Sequence, residues 1–194
     1  MAGRWREHLA PGSVTPMRAM QAMTTLLLLA CAAVPGSGSS TDSEPSPSFR
    51  FRFTASDQYQ VGQPVKIGFT LVNASRAPLW VLKWYTPLEG IWGKILLVTR
   101  DGATLPYQGP LAKRGAPRRE DYVRVQASQS VSAEFDLSKV YDLTVPGSYR
   151  VEFVGHLHDV AREGEKLPRD PGLERRAEAS GEPASFRLVP AAAP

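Results

Sequence analysis

Short stretches of alternating apolar and polar residues recur along the chain from Phe49 onwards. In the first, 49–53, phenylalanine occupies every second position with arginine between, so the two residue types lie on opposite faces of an extended backbone. A second stretch, 65–72, alternates in the same way, with valine, isoleucine, phenylalanine and leucine on one face. A period of two predicts β-strands that bury one face and expose the other.

Further short apolar stretches follow, and turn-forming residues separate them. They are 79–84, 95–98, 122–125, 131–137, 149–154 and 186–189. Tyr149, which follows Pro146-Gly147, resembles the tyrosine corner of immunoglobulin-like domains, in which the hydroxyl bonds back to upstream backbone. About seven to nine short strands in this order predict an all-β, immunoglobulin-like sandwich of two antiparallel sheets.

The composition divides the chain into one domain with extensions. The pattern of strands predicts a domain over 49–189, within which the charged segment 159–182 is predicted as a mobile loop between the last two strands. The preceding residues 35–48 are rich in glycine, serine and proline, which predicts a flexible linker. The final residues 190–194 predict a disordered tail.

The first 34 residues have the pattern of a signal peptide. Arg18 precedes the apolar run 23–34, which is shorter than the roughly 20 residues that span a bilayer, and small residues follow it. This pattern predicts export, with the mature chain in the periplasm, in the outer envelope or outside the cell.

Cys31 is the sole cysteine, so an intramolecular disulfide is excluded. It follows Leu28-Leu29-Ala30 and resembles the cysteine of a bacterial lipobox, which predicts lipid attachment at Cys31 and a membrane contact through that lipid alone. The same residues also fit an ordinary cleavage site, in which Cys31 is merely a small apolar residue. Both interpretations stay open at this point.

The net charge argues against nucleic acid as a ligand. The formal charge of +4 includes three arginines and one glutamate in residues 1–30, so removal of that segment lowers it to +2. A nearly neutral domain has no strong electrostatic attraction for a polyanion. No nucleic-acid partner is therefore expected.

The sequence contains no complete catalytic constellation. The His-Glu-x-x-His zinc motif, the Gly-x-Ser-x-Gly nucleophile motif and a glycine-rich phosphate loop are all absent. His156 and His158 would share one face of a strand beside Asp159 and so offer metal ligands. Zinc needs more ligands than these, and the competing interpretation is a polar strand end. No enzyme activity, metal or cofactor is expected.

Two loops carry the candidate binding residues. One has the apolar residues Leu88, Ile91 and Trp92 around a glycine, and apolar loop residues of this kind often anchor interfaces. The alternative is that they fold inward and close the end of the sandwich. The other loop is strongly basic, with Lys113, Arg114, Arg118 and Arg119, which favours either docking to an acidic protein surface or a solvated flexible loop.

The basic loop also carries a family resemblance. The run Lys113-Arg114-Gly115-x-Pro117, the segment Trp84-x-Thr86-Pro87-Leu88-Glu89-Gly90 and the stretch from Asp136 to Tyr149 resemble the N-terminal, pro-region-like β-sandwich of bacterial deuterolysin-type zinc metalloendopeptidases, which cleave at peptidyl-lysine bonds. The resemblance covers about residues 49–155. It implies a module of such an enzyme without the helical domain that holds the zinc, because no residues here match the zinc ligands or the catalytic glutamate.

Two functions follow as expectations. The first is a non-catalytic, secreted or periplasmic binding module, whose partner is a zinc metalloendopeptidase that it inhibits or helps to fold, as a detached pro-region would. The alternative is an envelope lipoprotein with a structural or interaction role unrelated to proteolysis. In both cases the expected partner is a protein.

Overall fold

The computed structural model describes residues 49–191, and the predictions for 1–34, for Cys31, for 35–48 and for the last three residues of the tail 190–194 lie outside this range. The described chain is all β apart from three single-turn 3₁₀ helices at Pro87–Glu89, Arg119–Asp121 and Leu137–Lys139. Within it, no helix has the length and apolar character needed to cross a membrane. The strands are β1 Phe49–Thr54, β2 Gln58–Gln60, β3 Lys66–Asn73, β4 Leu79–Leu82, β5 Leu96–Arg100, β6 Ala103–Thr104, β7 Tyr122–Val125, β8 Ser130–Asp136, β9 Gly147–Phe153, β10 Val160–Arg162, β11 Ala179–Glu182 and β12 Ala184–Val189.

The strands form three sheets around one apolar core. Their orders are β11-β1-β3-β8, β10-β4-β7 and β2-β12-β9-β5-β6. The first and third sheets face each other, since the Phe153 ring on β9 lies 5.5 Å from Phe51 on β1 and 5.9 Å from Phe69 on β3. Leu79 and Val81 of β4, in the sheet β10-β4-β7, are part of the same core. The prediction of an all-β sandwich is thus confirmed.

The alternation in the sequence appears directly in the burial of β1 and β3. The phenylalanines of β1 are buried and its arginines exposed, and Ile67, Phe69 and Leu71 of β3 are buried between exposed or half-buried neighbours. These two strands pair in antiparallel register, with Phe51 opposite Leu71 and Phe53 opposite Phe69. Aromatic side chains bury the largest areas per residue, so this pairing contributes strongly to the core.

The predicted tyrosine corner is also confirmed. The Tyr149 hydroxyl donates a hydrogen bond to the Val145 carbonyl at 2.6 Å, and its ring stacks on Phe186 with centroids 5.2 Å apart. Gly147 allows the strand to start here, because a Cβ at this position would lie 2.6 Å from a carboxylate oxygen of Asp101. The contact joins β9 to β12 and to the loop before β9.

Three details differ from the expectation. Residues 49–191 contain twelve strands where seven to nine are expected, because β2, β6, β10 and β11 are two to four residues long and too short to show a periodic pattern. The sheets are three, and two pairings, β1 with β11 and β2 with β12, are parallel. The segment 159–182 is not one mobile loop, since β10 and β11 lie within it and Leu157 bridges Ala177.

Candidate functional site

The structure brings the two predicted binding loops into contact. Glu89, in the 3₁₀ turn after β4, forms an ion pair with Arg114 of the basic loop at 2.5 Å. The backbone N–H of Ala112 donates to the Trp92 carbonyl at 3.1 Å, and the Tyr107 hydroxyl donates to the Ile91 carbonyl at 3.2 Å. The loops from residues 83 to 93 and from 105 to 119 therefore form one continuous surface.

The three apolar candidates have different environments. Ile91 is buried in the core, and Leu88 is half-buried against it, so these two close the end of the sandwich. Trp92 is 47% exposed, and its indole N–H donates to the Glu89 carbonyl at 2.8 Å, which holds the ring in place. Leu111, which precedes Ala112, is 69% exposed and adds a second apolar side chain that the sequence analysis did not single out.

The basic candidates also separate by their contacts. Arg114 is half-buried, and its guanidinium lies 5.0 Å from the centre of the Trp84 ring. Arg119 lies 4.7 Å from the Trp80 ring. Arg118 is exposed and pairs with Glu120 at 3.0 Å, and Lys113 is exposed. Arg114 therefore has a structural contact, Lys113 presents its charge to solvent, and Arg118 forms an exposed ion pair.

Beside this surface lies a cleft of about 580 Å³, into which three segments converge. The chain after β4 supplies Trp84 and Tyr85, the basic loop supplies Arg114, and the segment between β10 and β11 supplies Arg176. The full lining is Leu82, Trp84, Tyr85, Arg114, Gly115, Pro117, His158, Glu174 and Arg176.

Tyr85 has a strained backbone at the edge of this cleft. Its φ of 59° lies in the left-handed region, which side chains with a Cβ rarely adopt. Its N–H donates to Glu89 at 2.9 Å, so Glu89 binds both Tyr85 and Arg114. Burial raises the pKa of Glu89 above its ordinary value, although Tyr85 and Arg114 oppose the shift. Strain of this kind persists where surrounding contacts hold it, and it is frequent at binding sites.

His156 and His158 lie on the same side of the chain, as their spacing predicts, and their rings contact each other without a third metal ligand beside them in the described residues. Their rings stack with centroids 4.3 Å apart, and His158 also lies 4.3 Å from Tyr85. Burial lowers the pKa of His158, and the charges of His156 and Arg176 lower it further, so its neutral form is favoured. Within residues 49–191, no three histidine, cysteine or acidic side chains are arranged to hold a metal.

Asp159 makes contacts that stabilise the fold, and it is not placed as a metal ligand. It is fully buried, and it accepts hydrogen bonds from the Tyr122 hydroxyl at 2.7 Å and from the Arg175 backbone N–H at 2.9 Å. Arg169 Nε lies 3.1 Å away as an ion pair. These contacts anchor the segment between β10 and β11 to β7. Asp159 thereby positions the wall of the cleft that carries Arg176.

Sequence reasoning missed most of the cleft. It assigned Trp84 to a strand and Arg176 to a mobile loop, and it gave Tyr85 and Glu89 no role. The available signal was local: an aromatic pair followed by Thr-Pro, where Thr86 caps a 3₁₀ turn. The contribution of Arg176 depends on how a distant segment folds back, and no local pattern indicates that.

Comparison with known proteins gives a partial relationship. No family model matches the chain. Over 100 residues, 52% of this chain, it is 35% identical to a protein of Aeromonas hydrophila named extracellular protease, and the match spans 28% of that protein. The chain thus corresponds to about a quarter of this relative.

Two solved structures of the CARDB domain of PF1109 from Pyrococcus furiosus also align. The solution structure covers 74% of this chain and 95% of its own, with a TM-score of 0.32 and 11% identity. The crystal structure, in complex with di-metal ions, covers 75% and 96%, with a TM-score of 0.33 and 11% identity. Similarity this low informs neither function nor metal binding here. The sequence match is the informative one: part of this chain is related to part of an extracellular protease.

Proposed function

We propose that this chain is a non-catalytic, exported β domain that binds an extracellular zinc metalloendopeptidase as inhibitor or folding assistant. The observation that carries the proposal is the 35% identity with a segment of a protein named extracellular protease. In this proposal the chain makes the contacts with the enzyme that the matching segment makes within that protein. The chain corresponds in this proposal to the N-terminal, pro-region-like sandwich of deuterolysin-type enzymes, which residues 49–155 resemble.

Among the candidate catalytic groups, Asp159 has structural contacts that support a non-catalytic role. Asp159 is committed to Tyr122, Arg175 and Arg169, and His158 stacks on both Tyr85 and His156. A general base needs a free lone pair directed at substrate. The oxygens of Asp159 are engaged within the fold, whereas stacking leaves the nitrogen lone pairs of the histidines free and the buried Nε2 of His156 has no hydrogen-bond partner among the described residues, so Asp159 alone supports a non-catalytic role.

The contact surface in this proposal is the joined pair of loops. Trp92 and Leu111 are exposed apolar side chains, Lys113 of the basic loop adds an exposed positive charge, and Arg118 is an exposed guanidinium that pairs with Glu120. Tryptophan and arginine are the residue types most enriched at energetically dominant positions of interfaces. Ile91, Leu88 and Arg114 support this surface from beneath through the core and through Glu89.

The test is affinity capture from the producing organism's secreted and envelope fractions, with the purified chain as bait. Capture of a zinc endopeptidase whose activity falls when the chain is added supports the proposal. The double variant Trp92→Ala/Arg118→Glu should lose this capture. The matched control is Val145→Ala/Arg187→Glu, which changes an exposed apolar residue and an exposed arginine elsewhere. Equal capture by both variants refutes the site.

A second candidate is an envelope lipoprotein without a role in proteolysis. It is favoured by Cys31 directly after Leu28-Leu29-Ala30, followed by a polar linker. Labelling with a fatty-acid analogue, compared with Cys31→Ala, tests the anchor. Capture of only non-proteolytic envelope proteins, with no effect on protease activity, would favour this candidate over the first.

A further inference from the structure

The cleft between the three segments has the dimensions of a binding site. Its volume of about 580 Å³ lies within the range of roughly 300–1,000 Å³ that is usual for ligand pockets. Trp84, Tyr85 and His158 supply ring surfaces, while Arg114 and Arg176 supply charge. An apolar wall with a few convergent polar groups is the usual composition of such sites.

The charged side chains of the lining offer more donors than free acceptors. The Nε–H of Arg114 is buried and has no hydrogen-bond partner, although its Nη2 binds Glu89. Arg176 is exposed at the edge of the cleft. Glu174 is the sole carboxylate of the lining, and it accepts a hydrogen bond from the Gly172 backbone N–H at 2.9 Å. A ligand that satisfies these donors must bring its own acceptors.

The neighbouring charges favour an anion. Lys113 and Arg119 lie exposed on the basic loop that forms one side of the cleft, and Arg119 stacks on Trp80 with no carboxylate partner within residues 49–191. Glu120 and Asp121, the acids of that loop, both face Arg118, so one positive charge there stands against two negative ones. With Glu89 set against Arg114 and Glu174 against Arg176, the cleft and the basic loop keep a small net positive charge, which favours an entering carboxylate.

We propose that the cleft binds a short acidic segment of the partner protein. In this arrangement a carboxylate pairs with Arg176 and Arg114, and the adjoining side chain packs on Trp84 and Tyr85. Guanidinium groups bind carboxylates through charge-assisted hydrogen bonds, which gives the site its preference. The inference rests on the proposed function for the identity of the partner, but the chemistry of the cleft is independent of it.

The test uses two fluorescein-labelled, C-terminally amidated decapeptides added to the full-length chain. One alternates glutamate with phenylalanine, and the other has glutamine in place of every glutamate. Fluorescence anisotropy should show at least about tenfold tighter binding of the glutamate peptide, and the difference should shrink as salt is raised from about 20 to about 200 mM.

Arg176→Glu should weaken binding of the glutamate peptide by about tenfold or more, because it removes a pairing partner and adds a repelling charge. The matched control is Arg187→Glu, which changes an exposed arginine opposite Ser148, at the far end of β9 from His158. It should alter the affinity by less than about twofold. Both substitutions are on the surface, so both variants should keep the circular dichroism spectrum of the original chain.

A site-specific readout completes the experiment. The ring NMR signals of His158 should shift when the glutamate peptide is added, and they should not shift in Arg176→Glu. Equal affinity for the two peptides, equal loss in the two variants, or preferential binding of neutral cellohexaose would each overturn the proposal. If the peptide binds as described but no protease is captured, the cleft stands and the proposed function falls. If Arg176→Glu captures the protease as well as the original chain does, the proposed function stands and the cleft is not its binding site.

Discussion

Replacing Asp159 with asparagine tests whether one buried carboxylate holds the segment between β10 and β11 in place. Asp159 is fully buried, accepts hydrogen bonds from the Tyr122 hydroxyl at 2.7 Å and the Arg175 backbone N–H at 2.9 Å, and forms an ion pair with Arg169, whose Nε lies 3.1 Å away. Asparagine keeps the shape of the side chain but removes its charge. The change therefore removes the charge together with one of the two acceptor oxygens, while the packing stays nearly the same.

The expected loss of stability is about 3 kcal/mol, the lower end of the roughly 3–5 kcal/mol seen when one partner of a buried ion pair is removed. The lower end applies because Arg169, which is 14% exposed, also pairs with Glu165. Asp159→Ala should cost about 1–2 kcal/mol more, since it leaves the Tyr122 hydroxyl and the Arg175 N–H without acceptors. Either loss is large against a total stability of about 5–15 kcal/mol.

Urea unfolding followed by tryptophan fluorescence measures these differences as shifts in midpoint at constant slope. The matched control is Asp170→Asn in the same segment. Its carboxylate pairs with Lys166 at 2.8 Å, but both side chains are more than half exposed, so the cost should be below about 0.5 kcal/mol. A loss below about 1 kcal/mol for Asp159→Asn, or equal losses at the two positions, would refute the reasoning.

Three further outcomes are expected. Tyr149→Phe should lower the free energy of unfolding by about 1–2 kcal/mol because it removes the bond to the Val145 carbonyl, as urea titration would show. Tyr141→Phe should lower the free energy of unfolding by a similar amount, about 1–2 kcal/mol, since the buried Tyr141 hydroxyl donates to the Leu96 carbonyl at 2.7 Å. Burial raises the pKa of Tyr141 to about 12, so this hydroxyl should stay protonated in an ultraviolet titration to about pH 11. The pKa of His158 is lowered from 6.5 in the folded chain, so below pH 6.5 the unfolded chain binds more protons than the folded one. The stabilising contribution of the neutral His158 ring is therefore complete above about pH 6.5 and is lost as the pH falls through the folded pKa. His158→Gln should reduce the pH dependence of stability in that window, and an NMR titration midpoint at or above 6.5 would contradict the assignment.

The long strands were predictable because their burial follows their sequence. In β1 and β9, apolar residues alternate with charged or polar ones, and each apolar side chain faces the core. The tyrosine corner was predictable for a similar reason, since Tyr149 bonds to a residue only four positions earlier. Local spacing decides both features.

The short strands were not predictable in this way. β11 contains alanine, serine, glycine and glutamate, and most of it is exposed, so neither its period nor its propensity indicates a strand. It pairs with β1 in parallel because Asp159 and the Leu157–Ala177 bridge return the chain to that edge. The pairing is a consequence of contacts distant in sequence.

The candidate site also has a part that local sequence determines and a part that tertiary packing determines. The sequence by itself determined the all-β character of the domain, the positions of its principal strands and the presence of an aromatic, apolar loop and a basic loop, because these depend on residue type and local period. The tertiary structure alone decided that Glu89 joins the two loops through Arg114, that Ile91 lies in the core while Trp92 is exposed, and that Arg176 meets Trp84 across a cleft. Those outcomes depend on how segments distant in sequence pack against one another, which no local pattern encodes.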